Sequence, residues 1–128
     1  MISNNNFNVN DYYELVALQK ALLEAKFNLT PNNENISGSP IIAKMLNEIY
    51  ALLEEKEKER EGKERWSEWR KIANQMYYLE RAIERIIKQE KFNEYEEERK
   101  REVIKNYISP FTCNAQELLL IQKMIEYR

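Results

Sequence analysis

The sequence predicts an all-α fold, a helical bundle built around a long antiparallel helical hairpin. The first indication is that only one glycine, Gly62, and no proline occur between Pro40 and Pro110. Helix interiors exclude proline by about 3 kcal/mol and glycine by about 1 kcal/mol, whereas loops and sheets use both residues at turns. The second indication is that apolar residues recur at spacings of three and four, which is the period of an amphipathic helix.

The length of 128 residues predicts a single helical domain over residues 11–128, preceded by a flexible, asparagine-rich arm over residues 1–10. The net charge of −2 is too small to indicate a surface for nucleic acid or for a membrane. The single cysteine, Cys113, excludes an internal disulfide, and the first residues lack the basic region and apolar core of a signal peptide. We therefore expect a cytoplasmic protein.

The first two helices are predicted over residues 11–28 and 40–60. Asp11 and Glu14 have the spacing of a capping box, and apolar residues follow at positions 15, 18 and 22. The residue before a proline avoids the α region, so Thr30-Pro31 marks the end of this helix. Ser39 followed by Pro40 is the favoured start of the second helix.

Residues 54–65 contain no apolar side chain and include Gly62, for which two interpretations compete. Gly62 forms the turn of an antiparallel hairpin, or the helix continues through it as an exposed rod held by ion pairs. We favour the hairpin, because a short chain needs its apolar stripes to face one another.

A third helix is predicted over residues 64–91 from a heptad pattern typical of a coiled coil. The pattern consists of Trp69, Ile72, Met76, Leu79, Ile83 and Ile86. Such a helix would be roughly 40 Å long, too long for its neighbours to cover, so we expect a homodimer. The pattern fails after Ile87; a break is expected near residues 90–94, and the helical run ends at Ser109-Pro110. Asn114 and Glu117 have capping-box spacing and predict a last helix over residues 113–127.

The sequence contains no histidine, which is the commonest general base and the commonest metal ligand. We therefore predict no enzyme, no metal and no cofactor. A Mg²⁺-dependent all-α nucleotide hydrolase is a remote alternative, for which Glu54, Glu57, Glu94 and Glu97 supply paired carboxylates. These pairs lie in highly charged stretches, where a solvated face is the better explanation.

The polar side of the predicted third helix carries the candidate binding residues. They are Arg70, Asn74, Tyr77, Tyr78, Arg81 and Arg85. Arginine donates two parallel hydrogen bonds to phosphate or carboxylate groups, tyrosine offers a ring for stacking, and asparagine can bind a base edge. The alternative is an ordinary outer face held by local ion pairs such as Arg81 with Glu84.

An aromatic-rich set has the residue types of protein-interface hot spots. It comprises Trp66 and Trp69 together with Tyr12, Tyr13, Tyr50, Tyr77 and Tyr78. Ordinary packing in and around the core is the competing explanation, and the sequence favours it.

We expect a small helical protein that binds another protein, and the AT-rich codon usage implied by its composition suits a phage-encoded inhibitor or adaptor. The alternative function is sequestration of a small anionic ligand such as a nucleotide. We expect neither a membrane nor a nucleic acid as a partner.

Overall fold

The computed structural model describes residues 7–28 and 35–128, and in these ranges the chain is all-α with no β-strand. The predicted fold class is therefore confirmed. The described residues form six α-helices packed around one core: α1 (Tyr12–Phe27), α2 (Pro40–Glu61), α3 (Arg65–Trp69), α4 (Met76–Ile87), α5 (Glu97–Ile108) and α6 (Ala115–Glu126). The fully buried side chains at its centre include Leu46, Tyr50, Ile83, Ile86 and Ile104.

The predicted helix starts are confirmed by their capping hydrogen bonds. The Asp11 carboxylate accepts from the backbone N–H groups of Tyr13 and Glu14, at 3.1 and 3.2 Å. The Ser39 hydroxyl accepts from the N–H of Ile42 at 3.2 Å. These side chains satisfy donors that a helix start leaves without partners.

The last helix begins with the complete capping box predicted for it. The N–H of Asn114 donates to the Glu117 carboxylate at 2.8 Å, and the N–H of Glu117 donates to the Asn114 side chain at 2.7 Å. At the other predicted turn, Gly62 ends α2 in the left-handed region with φ of 65°. The turn at Gly62 is therefore correct, and the continuous rod is not formed.

The single helix predicted over residues 64–91 is wrong. This segment consists of α3, a 3₁₀ turn at Ile72–Asn74 and α4. The chain is extended at Lys71, where the N–H of Ile72 donates to the Thr112 carbonyl and the N–H of Thr112 donates to the Arg70 carbonyl, both at 2.8 Å. This short bridge to the segment after α5 replaces the intrahelical hydrogen bonds that a continuous helix would need.

The break also divides the predicted heptad pattern, so the coiled coil is wrong. Leu79, Ile83 and Ile86 are buried, but Met76 is 56% exposed. The long hairpin is correspondingly not clearly formed, because no long helix follows the turn. The homodimer stays a prediction, but the helix of roughly 40 Å on which it was based is not formed.

The break predicted near residues 90–94 is confirmed, since α4 ends at Ile87 and a 3₁₀ turn occupies Phe92–Glu94 before α5. Of the predicted N-terminal arm, residues 7–10 form no helix, and residues 1–6 lie outside the described residues. Thr30-Pro31, the predicted end of the first helix, also lies outside them; the helix itself ends at Phe27.

Candidate functional site

An open cleft of about 710 Å³ lies between α1, the end of α2, α3 and the start of α4. Its lining combines four aromatic rings with a few polar and charged side chains. The lining residues are Tyr12, Gln19, Lys20, Leu23, Glu24, Glu57, Arg65, Trp66, Trp69 and Tyr78. Both tryptophans of the chain are among them. An apolar concave surface with a small number of polar groups is the usual composition of a binding site.

Rings from α1 and α3 form one side of the cleft. Tyr13 is 68% exposed and packs edge-to-face on Tyr12, with ring centroids 5.5 Å apart. The indole N–H of Trp66 donates to the Tyr12 hydroxyl at 3.0 Å. Arg60, from the end of α2, lies over both tyrosine rings, 4.7 Å from the centroid of Tyr12 and 5.6 Å from that of Tyr13. This cation–π contact joins the start of α1 to the end of α2.

The rings continue across α3 to the start of α4. Trp66 and Trp69 pack edge-to-face at 6.0 Å, Trp69 and Tyr78 do so at 6.3 Å, and Tyr78 and Tyr77 at 5.4 Å. Tyr77 is 57% exposed. The six residues Tyr13, Tyr12, Trp66, Trp69, Tyr78 and Tyr77 thus form a continuous series of contacts, which we call the aromatic arc.

Tyr50 of α2 is buried beneath the two tryptophans and does not itself line the cleft. Its ring packs at 5.6 Å from both Trp66 and Trp69. The buried hydroxyl donates to Oε1 of Gln19, whose side-chain nitrogen donates to the Val16 carbonyl at 3.0 Å. Burial raises the pKa of Tyr50, so its hydroxyl remains a neutral donor. The two tryptophans are therefore backed by a buried ring whose hydroxyl is hydrogen-bonded to α1.

The start of α3 is fixed by a carboxylate from α2. Glu57 is 3% exposed and accepts hydrogen bonds from the backbone N–H groups of Arg65 and Trp66, at 2.6 and 3.3 Å. It also accepts from Nε of Arg65 at 3.0 Å. The residue before α3, Glu64, makes no side-chain cap of its own. Glu57 therefore acts as the missing N-cap from a neighbouring helix.

Arg70, a predicted binding residue, is held within the protein. Its guanidinium donates to the Pro110 carbonyl at 2.8 Å, to Glu54 at 3.0 Å and to Asn47 at 3.0 Å. These acceptors come from α2 and from the segment after α5, so Arg70 fixes the far end of α3. Asn74, also predicted, donates to the Glu68 carbonyl at 3.0 Å.

Tyr77, Tyr78 and Arg81 lie together at the start of α4. The Arg81 guanidinium is 5.4 Å from the Tyr77 ring centroid and pairs with Glu84 at 2.8 Å, the local ion pair expected from the sequence. Its Nε atom is buried and has no hydrogen-bond partner among the described residues. Burial raises the pKa of the half-buried Tyr78, with smaller contributions from Tyr77 and Glu24.

Arg85 lies apart from this group, because its guanidinium donates to the Asn28 carbonyl at the end of α1. The six predicted site residues therefore do not converge on one surface. Tyr77, Tyr78 and Arg81 come together, and of the six only Tyr78 lines the cleft. Their role in binding stays a prediction.

The charged groups at the cleft are partly neutralised. Arg65 pairs with both Glu57 and Glu61. On the α1 wall, Lys20 and Glu24 make no ion pair with any described residue. The cleft thus offers one positive and one negative group one helical turn apart beside an aromatic surface.

Glu57, Gln19 and Lys20 are site residues that sequence reasoning missed as binding residues. The segment around Glu57 has no apolar side chain and predicts a solvated charged face, which is wrong for this residue because it is 3% exposed. Its position opposite the start of α3 depends on how the chain turns at Gly62, and no local pattern indicates it. The packing predicted for the aromatic-rich set is confirmed for most of its members. Tyr50 is buried in the core, Tyr12, Trp66, Trp69 and Tyr78 are partly buried against it, and Tyr13 and Tyr77 are exposed.

Comparisons with protein-family models, with curated proteins and with solved structures find no match to this chain. Within residues 7–28 and 35–128, no three histidine, cysteine or acidic side chains are grouped so that they could hold a metal ion. In the same ranges, no helix has both the length and the apolar character required to cross a bilayer.

Proposed function

We propose that this protein acts by binding another protein and that the aromatic arc is its contact surface. The observation that carries this proposal is that two exposed rings, Tyr13 and Tyr77, flank a cleft walled by two tryptophans. Tryptophan, tyrosine and arginine dominate interface hot spots, which lie in pockets surrounded by a rim that excludes water. The arc has this arrangement, with the cleft at its centre.

The extent of the arc favours a macromolecular partner over a single small molecule. At each end of the arc, a tyrosine outside the cleft packs on one that lines it. The ring centroids are 5.5 Å apart for Tyr13 and Tyr12 and 5.4 Å apart for Tyr77 and Tyr78. A ligand confined to the cleft would leave both exposed rings uncovered. A protein surface can fill the cleft with one apolar side chain and cover the flanking tyrosines at the same time.

An inhibitor or adaptor is the class of binding protein that we propose. The chain has no histidine, and burial raises the pKa of the single cysteine, Cys113, which keeps that thiol protonated and weakly nucleophilic. The carboxylates considered as Mg²⁺ ligands also have other roles, because Glu54 pairs with Arg70 and Glu57 holds α3. These features support a protein that acts through its surface.

The test compares variants at the two exposed ends of the arc. Tyr13→Arg and Tyr77→Arg change exposed rings without disturbing the core, and Leu120→Arg changes an exposed residue of α6 that is 61% accessible. Tagged proteins are used for affinity capture from the cells that carry the gene, and the captured partner is purified for titration. We expect both arc variants to bind about tenfold or more weakly and Leu120→Arg to bind normally.

The proposal fails if the arc variants and the wild type bind the captured partner equally. It also fails if Leu120→Arg alone loses binding, since the contact surface would then be on α6. Circular dichroism of each variant verifies that its helices are intact before its affinity is compared.

A second candidate function is sequestration of a small planar anion such as a nucleotide. Its support is the cleft volume of about 710 Å³, which is within the usual range for small-molecule sites, together with the ammonium group of Lys20, which lines the cleft and forms no ion pair with a described residue. In this case a ring would stack on the tryptophans and a phosphate would approach Lys20. The sequence also proposes Arg81 and Arg85 for binding the anionic ligand, but neither residue lines the cleft.

Tryptophan fluorescence distinguishes this candidate directly, because both tryptophans line the cleft. Saturable quenching by adenosine monophosphate, weakened in Lys20→Glu and with adenosine, would support nucleotide binding. Equal, non-saturating responses to both compounds would exclude it for this nucleotide.

A further inference from the structure

The aromatic wall of the cleft is carried by an unusually short element. Helix α3 has five residues, includes both tryptophans and contains no fully buried residue. Gly62 precedes it in the left-handed region, and Lys71 follows it in extended conformation. An isolated helix of this length is far below the size that is stable in water. Its position therefore depends on contacts with the rest of the protein: the two tryptophan rings pack on Tyr50, and groups from other elements hold its two ends.

The two ends of α3 are held by side chains of different character. At its C-terminal end, Arg70 is bound by Glu54, Asn47 and the Pro110 carbonyl, and the backbone pairs with Thr112. At its N-terminal end, the hydrogen bonds to the backbone come from Glu57, which binds the first two N–H groups of the helix. The N-terminal end is the one that carries Trp66.

Glu57 is a buried charge, whereas its neighbour Glu61 is a surface charge with the same cationic partner. Glu57 is 3% exposed, and a desolvated carboxylate is stable only when hydrogen bonds replace its water. Glu61 is 44% exposed and binds only the outer guanidinium nitrogen of Arg65. Surface ion pairs of this kind contribute little to structure. The chain therefore offers a matched control one helical turn from Glu57.

We propose that Glu57 is the positioning residue of the cleft and that its carboxylate sets the fraction of molecules in which the Trp66 wall is in place. Loss of the carboxylate leaves the first N–H groups of α3 without acceptors, so this end of the helix detaches and Trp66 leaves Tyr12. A partner that binds only the assembled cleft then binds more weakly, because its apparent Kd rises in inverse proportion to the assembled fraction. This consequence for binding rests on the proposed function, but the positioning role does not.

The first test measures the cleft in the free protein. Acrylamide quenching reports the solvent access of the two tryptophans in the wild type, Glu57→Ala, Glu57→Gln and Glu61→Gln. We expect the quenching constant to rise about twofold in Glu57→Ala and less in Glu57→Gln, because both backbone N–H groups bind the same carboxylate oxygen, Oε1, and an amide oxygen can take its place. Glu61→Gln should match the wild type. Equal quenching in all four proteins would overturn the proposal, as would an equal rise in Glu61→Gln.

A second measurement separates positioning from a general loss of stability. Amide hydrogen exchange by NMR is recorded for Arg65 and Trp66, whose N–H groups bind Glu57, and for Leu46 and Ile83 in the core. We expect exchange at Arg65 and Trp66 to be at least tenfold faster in Glu57→Ala, which removes the acceptor of both N–H groups, with no change at the two core residues. Uniform acceleration at all four amides would show that Glu57 only stabilises the fold, and the proposal would be wrong.

These measurements need no partner, so their outcome is independent of the proposed function. Altered quenching and exchange with unchanged partner affinity would leave the positioning role intact and contradict the cleft as the binding site. Unaltered quenching and exchange would contradict the positioning role, whatever the partner binds.

Discussion

Trp69 and Tyr50 stack nearly face to face, with ring centroids 5.6 Å apart and ring planes inclined by 17°. Tyr50 is wholly buried on α2, and its hydroxyl donates to Gln19 of α1. One side chain thus links α1, α2 and α3 beneath the tryptophans that line the cleft. Ring stacking of this type stabilises by about 0.5–1.5 kcal/mol beyond the burial of the rings. The packing of the core and the shape of the cleft are consequently determined by the same contacts.

Tyr50→Phe keeps this stacking and removes only the hydroxyl. Oε1 of buried Gln19 would lose the donor that now satisfies it, at a cost of about 1–3 kcal/mol in the free energy of unfolding. Urea denaturation followed by circular dichroism measures this difference. Tyr77→Phe is the control, because its ring is 57% exposed and should change stability by less than about 0.5 kcal/mol. Equal stability of both variants would show that the Tyr50 hydroxyl makes no net contribution.

Ile83→Asp and Met76→Asp test whether α4 begins at Met76, with Ile83 facing the core and Met76 exposed. Ile83 is fully buried, so a carboxylate there is expected to cost more than about 3 kcal/mol and to unfold the protein. Met76 is 56% exposed, and its replacement should leave the thermal midpoint almost unchanged. A continuous helix over residues 64–91 would instead make both substitutions severe.

The ends of the elements were accessible to sequence reasoning because they depend on local chemistry. Asp11, Ser39 with Pro40, Gly62 and Asn114 each act within a few residues of their own position, and each terminates or starts a helix where expected. The fold class could be predicted as well, because the scarcity of glycine and proline between Pro40 and Pro110 can be read directly from the sequence.

The break after α3 was not accessible, because its cause lies some 40 residues away in the chain. No glycine or proline occurs between Arg70 and Gln75, and the apolar spacing fits a helix. The backbone pairing with Thr112 and the bonds from Arg70 to Pro110 override that local preference. The cleft is hidden from the sequence for the same reason, since it forms only where α1 meets α3.

Gly38→Ala tests a close approach between the turn before α2 and α5. A Cβ atom at Gly38 would lie 2.5 Å from Cζ of Tyr107, whose ring is buried. We expect a loss of about 1–3 kcal/mol in stability, because the ring or the turn must shift. Gly62→Ala has no such neighbour and tests backbone conformation alone, with an expected loss of about 1–2 kcal/mol from its positive φ. Thermal denaturation that ranks Gly38→Ala as neutral would contradict this packing.

Lys26 makes stability depend on pH. Its amine is 1% exposed and donates to the carbonyls of Asn106, at 2.7 Å, and Ser109 near the end of α5. Burial lowers the pKa of Lys26 from 10.5 to about 7. Between these values the unfolded chain binds a proton that the folded protein does not, so stability rises as the pH is raised above about 7. The gain available over the whole range is on the order of a few kcal/mol.

Lys26→Met removes this titration and should flatten the rise in stability between pH 7 and about pH 8. The range stops there because burial raises the pKa of Cys113 and of Tyr50, so that ionisation of the unfolded thiol and then of the unfolded phenol favours unfolding at higher pH. Urea denaturation at a series of pH values measures the difference between the two proteins. The same pH dependence in both would show that Lys26 remains charged when the protein is folded.

Site-specific photo-crosslinking in the cells that carry the gene determines whether the aromatic arc contacts a partner protein. A benzophenone amino acid replaces, in turn, Tyr13 and Tyr77 at the ends of the aromatic arc and Tyr127, which is 85% exposed on the C-terminal side of α6. We predict that Tyr13 and Tyr77 crosslink to the same partner protein and that Tyr127 does not. Crosslinks to that partner from Tyr127 alone, or none from either arc position, would contradict binding through the arc.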